Sequence, residues 1–148
     1  MIAVQVSINF KGLDVSLPRL KKLVRTVCSR FKLRDAAVSI QLADDDGIRK
    51  LNKKFLNHNC VTDCLSFDLS DADTNLPKSF DLVVNAERAV KEAELRGHCS
   101  QAELALYITH GLLHNLGFDD STPAGAKKMH DTEDEILQQF GYGSVYSS

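Results

Sequence analysis

Ile2, Val4, Val6, Ile8 and Phe10 alternate with other residues along the first stretch of the chain. A period of two predicts a strand with one buried face. At Ser16-Leu-Pro18 the pattern changes. Proline suits the first turn of a helix, where its missing N–H would have had no intrahelical partner. Leu20, Leu23, Val24, Val27, Cys28 and Phe31 then recur at helical spacing, with basic residues mostly between them. That spacing predicts a helix buried on one side and positive on the other.

Val38, Ile40 and Leu42 predict a second strand. Asp44-Asp45-Asp46 offers N-caps for a second helix, with Ile48, Leu51 and Phe55 on its inner face. Cys64 to Asp68 reads as a third strand, residues 70–77 as a polar loop, and Phe80 to Val84 as a fourth strand. That strand runs into a helix from about Ala86 to Leu95, stopped by Gly97. Ser100 with Glu103 three residues on has the form of a capping box. It would open a helix carrying Leu104, Leu106, Ile108, Leu112 and Leu113 and ending at Gly117. A last helix starts near Thr122 and carries Met129, Ile136, Leu137 and Phe140. No repeat or internal linker interrupts the order. The expected fold is α+β, a single domain over residues 1–148: a small mixed sheet of about four strands with helices packed on it.

Composition agrees with a globular domain. Hydrophobic residues make up 43% of the 148 residues and charged residues 26%, too apolar for a disordered chain. No apolar run approaches the roughly 20 residues of a membrane span, and the N-terminus lacks the charged region of a signal peptide. A cytoplasmic protein with no membrane association is expected. Cys28, Cys60, Cys64 and Cys99 are too few and too irregular for a disulfide scaffold, and are read as reduced thiols. One zinc-like grouping, Cys60-x3-Cys64 with His98 and Cys99, matches no common zinc knuckle.

Charge is unevenly spread. Residues 1–60 carry 12 Lys+Arg and 5 Asp+Glu, a balance of +7, whereas residues 61–148 carry 6 and 15, a balance of −9. Between Arg19 and Arg34 there are seven basic residues and no acidic one. Such a half is either a solvated helix face or a surface for an anionic partner such as RNA.

The chemistry concentrates in HGLLHNLGFDD, residues 110–120. His110 and His114 stand at i and i+4 on a predicted helix, so both imidazoles project from one face and can share a divalent ion. A third ligand must come from chain that turns back. Gly117 can take the left-handed conformation such a turn needs. Asp119 and Asp120 lie just beyond it, and His130 ten residues further on is another choice. The HExxH signature of metalloproteases places a glutamate after the first histidine as general base. That position is Gly111 here, which disfavours peptide hydrolysis and leaves a metal-activated water.

These residues resemble the HGxLHxxGxDH signature of the YbeY family of metal-dependent endoribonucleases and rRNA maturation factors. Thr62-Asp-Cys-Leu-Ser-Phe67 is similar to the family's TDVLSF strand, preceded by Leu51, Asn52 and Phe55. The Asp81 strand resembles its GDI-type strand, and the tail Met129-x3-Glu133-x-Glu135-Ile-Leu137 its closing helix. The resemblance implies a zincin-like metal helix, one zinc ion held by three histidines, and cleavage of single-stranded RNA. It also implies a role in 16S rRNA maturation and ribosome quality control, with the small ribosomal subunit as partner.

Departures from the pattern matter. The third histidine is Asp120, whose offset favours it over Asp119 and His130 as third ligand beside His110 and His114. Aspartate is a competent ligand for zinc, but its charge makes the ion a weaker Lewis acid, and its hard oxygen admits manganese or iron. The family arginine is Leu56, the proline before Thr62 is Val61, and the glycine before Asp81 is Phe80. RNA cleavage needs positive groups on the phosphate. Lys53, Lys54, His58 or the basic helix would have to compensate for Leu56. Thr62 and Ser66 are expected as substrate hydrogen-bond donors, and Asp63 either orients a ligand histidine or merely starts the strand. Basic residues 19–34 would contact RNA phosphates, giving salt-dependent binding. The leading reading is therefore an endoribonuclease. Its rivals are a non-catalytic ribosome-binding maturation factor with a structural or vestigial metal, and a metal-dependent hydrolase of another substrate.

Overall fold

The computed structural model describes residues 1–58, 61–70 and 77–142. Cys60 and most of the expected 70–77 loop lie outside the described residues. The elements are β1 Ile2–Ile8, α1 Leu17–Arg30, β2 Ala36–Ala43, α2 Asp45–Leu56, β3 Cys64–Asp68, β4 Lys78–Asn85, α3 Ala86–Arg96, α4 Ser100–Asn115 and α5 Pro123–Gln139. The strands form one mixed sheet in the order β1-β2-β4-β3, with β1, β2 and β4 parallel and β3 antiparallel to β4. The α+β expectation holds. Among the described residues, no helix is long and apolar enough to cross a membrane.

Register explains the layers. Val4, Val38 and Phe80 align across three strands, as do Val6, Ile40, Leu82 and Ser66 across four. This face packs against α1 and α4, and α5 packs on α4, with Val24, Ile108, Leu112 and Met129 fully buried. Phe80 fills that core. On the opposite face α2 covers Ala43, Leu65 and Val83 with Ile48.

The caps are mostly those the sequence predicts. Asp44 accepts from the N–H of Gly47, Thr122 from that of Gly125, and Gly97 ends α3 at φ 73°. Side-chain caps of this kind are each worth about 1 kcal/mol. Three expectations need correction. Phe55 is 58% exposed, because α2 is rotated to bury Asn52 beside Ile48. The first strand ends at Ile8, itself exposed, and Phe10 lies beyond it. The capping box does not form: Cys99 is the N-cap, without a side-chain bond, and Glu103 is buried against His98 and Arg96. A carboxylate that finds a histidine and an arginine in the interior outcompetes a return to the helix end.

The thiols agree with a reduced state, and Cys28, Cys64 and Cys99 are free. Cys28 is buried in the core, which pushes its thiol up to about 11. The thiol of Cys64 lies under α4, where desolvation also raises its pKa. Thiolates are the reactive form. In the native protein at pH 8, a maleimide is expected to label exposed Cys99 while sparing Cys28 and Cys64 until denaturant is added. Peptide mass mapping checks this, and native labelling of Cys64 would contradict the packing of α4 on β3.

Candidate metal centre

The helix α4 is apolar on nearly all sides, as a helix surrounded by others must be. It crosses so close to the sheet that a Cβ on Gly111 would stand 2.8 Å from Cys64 Sγ and 3.0 Å from a Leu82 methyl. The position that holds a glutamate in HExxH therefore has no room for one here. His110 and His114 flank this contact and emerge at the helix's C-terminal end, half-buried.

The turn that returns the chain is built by Gly117, at φ 99°. Gly117 N–H donates to His114 O at 3.1 Å and Phe118 N–H to Leu113 O at 2.9 Å. These two bonds are the Schellman pattern that satisfies the last carbonyls of a helix. The turn brings the Phe118 carbonyl to 3.2 Å from His114 Nδ1, so that nitrogen donates. His110 Nδ1 lies 3.1 Å from Glu133 Oε1, on α5, and likewise donates. In a neutral imidazole the other nitrogen is then an acceptor.

The two acceptor nitrogens face each other. His110 Nε2 and His114 Nε2 are 3.1 Å apart, and Asp120 Oδ2 lies 3.7 Å from the first and 3.8 Å from the second. Donors about 2.0–2.2 Å from a tetrahedral ion stand about 3.3–3.6 Å from each other. The three separations bracket that range. Two lone pairs and a carboxylate repel at such distances unless a cation lies among them. Among the described residues this is the one group of three or more histidine, cysteine or acidic side chains able to hold a metal ion.

The other candidate ligands have partners of their own. Asp119 turns away to accept from Ser121 N–H and Oγ at 2.9 Å each, and these bonds hold its carboxyl below the usual range. His130 Nδ1 lies 3.2 Å from Glu133. The Cys64, His98 and Cys99 grouping does not assemble among the described residues. Asp63 lines the cavity beside His110 and Asp120, and the carboxylate hydrogen-bonded to His110 Nδ1 is that of Glu133. Thr62 precedes β3 and its carbonyl accepts from Asn85, while Ser66 lies in β3 on the α4 face.

Glu133 is 1% exposed and is not among the candidate residues that the sequence pattern picks out. Its signal was present, since it sits on the apolar stripe of α5 between Met129 and Ile136. Burial by itself lowers the pKa of His110, but the hydrogen bond and charge of Glu133, with Asp63 and Asp120 behind, hold it above the ordinary histidine value. The cavity, about 300 Å³, is also lined by Arg88 and Arg96 of α3, neither of which the sequence reading singled out.

A mixed sheet beneath a central helix, with two histidines on that helix and an aspartate from the following turn, defines an α+β domain with a candidate metal centre at the end of a buried helix. The family model described as Endoribonuclease YbeY matches residues 5–141, and the chain belongs to that family. Endoribonuclease YbeY of Macrococcus caseolyticus is 31% identical, covering 84% of this chain and 86% of that protein. Endoribonuclease YbeY of Porphyromonas gingivalis is 33% identical, covering 88% and 87%. The solution structure of TM1509 from Thermotoga maritima shares the fold, with a TM-score of 0.62 over 95% of this chain and 91% of that one, at 21% identity.

Proposed function

We propose that this protein is a metal-dependent endoribonuclease that cuts single-stranded RNA during rRNA maturation in the cytoplasm, with the small ribosomal subunit as partner. The relatives named Endoribonuclease YbeY support the reaction class. The observation that carries the metal is the convergence of His110 Nε2, His114 Nε2 and Asp120 Oδ2, with both Nδ1 atoms already consumed. Zinc is the first choice of ion for two imidazoles and one carboxylate. When bound there, it supplies Lewis-acid stabilisation of phosphoryl charge and acidifies water.

The chain's own residues do the rest. Glu133 and the Phe118 carbonyl fix the imidazoles, which keeps their acceptor nitrogens aimed inward. Hydrolysis adds water across a P–O bond, leaving a phosphate monoester on one fragment and a hydroxyl on the other.

The test is cleavage of end-labelled single-stranded RNA by purified protein. Cleavage is expected to stop on chelation, to return with zinc, and to be absent in His114→Ala. Activity surviving both chelation and that substitution would belong to a contaminant. A metal-loaded protein that never cuts, yet co-sediments with the small subunit, would make it a maturation factor without catalysis.

A further inference from the structure

The cavity beside the metal group raises a question that Leu56 leaves open: which cation meets the phosphate. Leu56 is 48% exposed at the end of α2 and carries no charge. Two cations line the cavity, Arg88 and Arg96. Arg96 is spent on carboxylates, with Glu92 at 3.6 Å and buried Glu103 at 3.4 Å. Arg88 has no carboxylate within 4.0 Å among the described residues, and its charge acts only at longer range on Asp45 at the start of α2.

Arg88 is held on a rigid base. Its N–H donates to Asn85 Oδ1 at 2.9 Å, and Asn85 is fully buried. The amide of Asn85 in turn donates to Asp45 Oδ1 at 2.7 Å and to Thr62 O at 3.1 Å. One side chain thus fixes the starts of α2 and α3 and the chain leading into β3. Asp63, next to Thr62, and Arg88 share the wall that also includes His110 and Asp120. Asp63, Glu92, Asp120 and Glu133 make this cavity acidic, so an entering phosphate requires a cation of the protein's own. Guanidinium matches phosphate oxygens through paired N–H donors.

We propose that Arg88 is a substrate-binding residue that grips a non-bridging phosphate oxygen of the RNA strand in this cavity, supplying from α3 the positive group that α2 lacks at Leu56. This rests on the nuclease reading, and the test separates the two.

Binding of an end-labelled, uncleavable 2′-O-methyl RNA is measured by fluorescence anisotropy with zinc-loaded protein. Arg88→Ala is expected to weaken binding about tenfold and to make the log-affinity against log-salt slope shallower by about 0.7. Arg88→Lys should recover part of the affinity. Lys127→Ala removes an equal charge from the exposed face of α5, where it pairs with Asp131, and should change nothing. Equal binding by wild type and Arg88→Ala, equal losses in Arg88→Ala and Lys127→Ala, or no binding by wild type would overturn the proposal. Arg88-dependent binding in a protein that leaves unmodified RNA uncut would uphold it and sink the nuclease reading instead.

Discussion

Replacing Asp120 by alanine is expected to strip the protein of its divalent ion. Two imidazoles on one helix face supply only one side of a coordination sphere, and Asp120 Oδ2 closes the triangle at 3.7 and 3.8 Å from the two nitrogens. Losing a group that only orients a ligand costs about 10–100-fold in affinity, so losing a ligand should cost more, about a thousandfold. Asp120 is 39% exposed, and exposed substitutions usually change stability by less than about 0.5 kcal/mol. The variant should therefore fold and lose metal, which separates this effect from general damage. Elemental analysis of wild type and variant side by side gives the answer: about one ion per wild-type chain and little in the variant. Asp120→His supplies a neutral nitrogen at the same offset and should retain zinc while losing affinity for manganese. Equal metal in wild type and Asp120→Ala would move the third ligand to Asp119 or His130, and no metal in either would remove the centre.

What could be read from the chain follows a physical division. Alternation located β1, as far as Ile8, and β2, and Gly97 and Gly117 were recognisable because each must take a positive φ. The histidine pair was legible for the same local reason, a helical offset followed by an obligatory turn, whereas the preference for Asp120 over Asp119 and His130 came only from the resemblance to the family signature. Properties set by packing were not legible. Phe55 continues the period of Ile48 and Leu51, yet the rotation of α2 on the sheet buries polar Asn52 and leaves the ring outside, edge-on to Phe67 at 5.9 Å. Ser100 and Glu103 satisfy the local rule for a cap, but a rule confined to one turn cannot register that His98 and Arg96 await the carboxylate. The cations of the cavity come from α3, whereas Lys53 and Lys54 lie on the exposed last turn of α2. No spacing within the sequence announces Arg88, because its place depends on how Asn85 ties three segments together.

Glu133→Gln is the second large effect, and its signature is a dependence on pH. Glutamine preserves the shape and one acceptor oxygen at the buried position, but removes the charge that polarises His110. At pH 8 zinc affinity should fall about 10–100-fold, the usual cost of losing an outer partner. Zinc requires a neutral imidazole, so protons compete with it once the pH approaches the pKa of His110. In the wild type Glu133 holds that pKa above the ordinary value, and competition begins early as the pH falls. In the variant burial is no longer outweighed, the pKa drops, and competition begins later. The gap between the two proteins should therefore narrow as the pH is lowered from 8 towards 6. In the ion-free wild type the raised pKa also contributes stability that is full below the unfolded value of about 6.5 and is lost as the pH rises through the folded value. That contribution should be smaller in the variant. Zinc titrations across this range, with thermal melts of the ion-free proteins, read both effects. A gap that stays constant with pH would mean that Glu133 shapes the site by packing alone, without polarising His110.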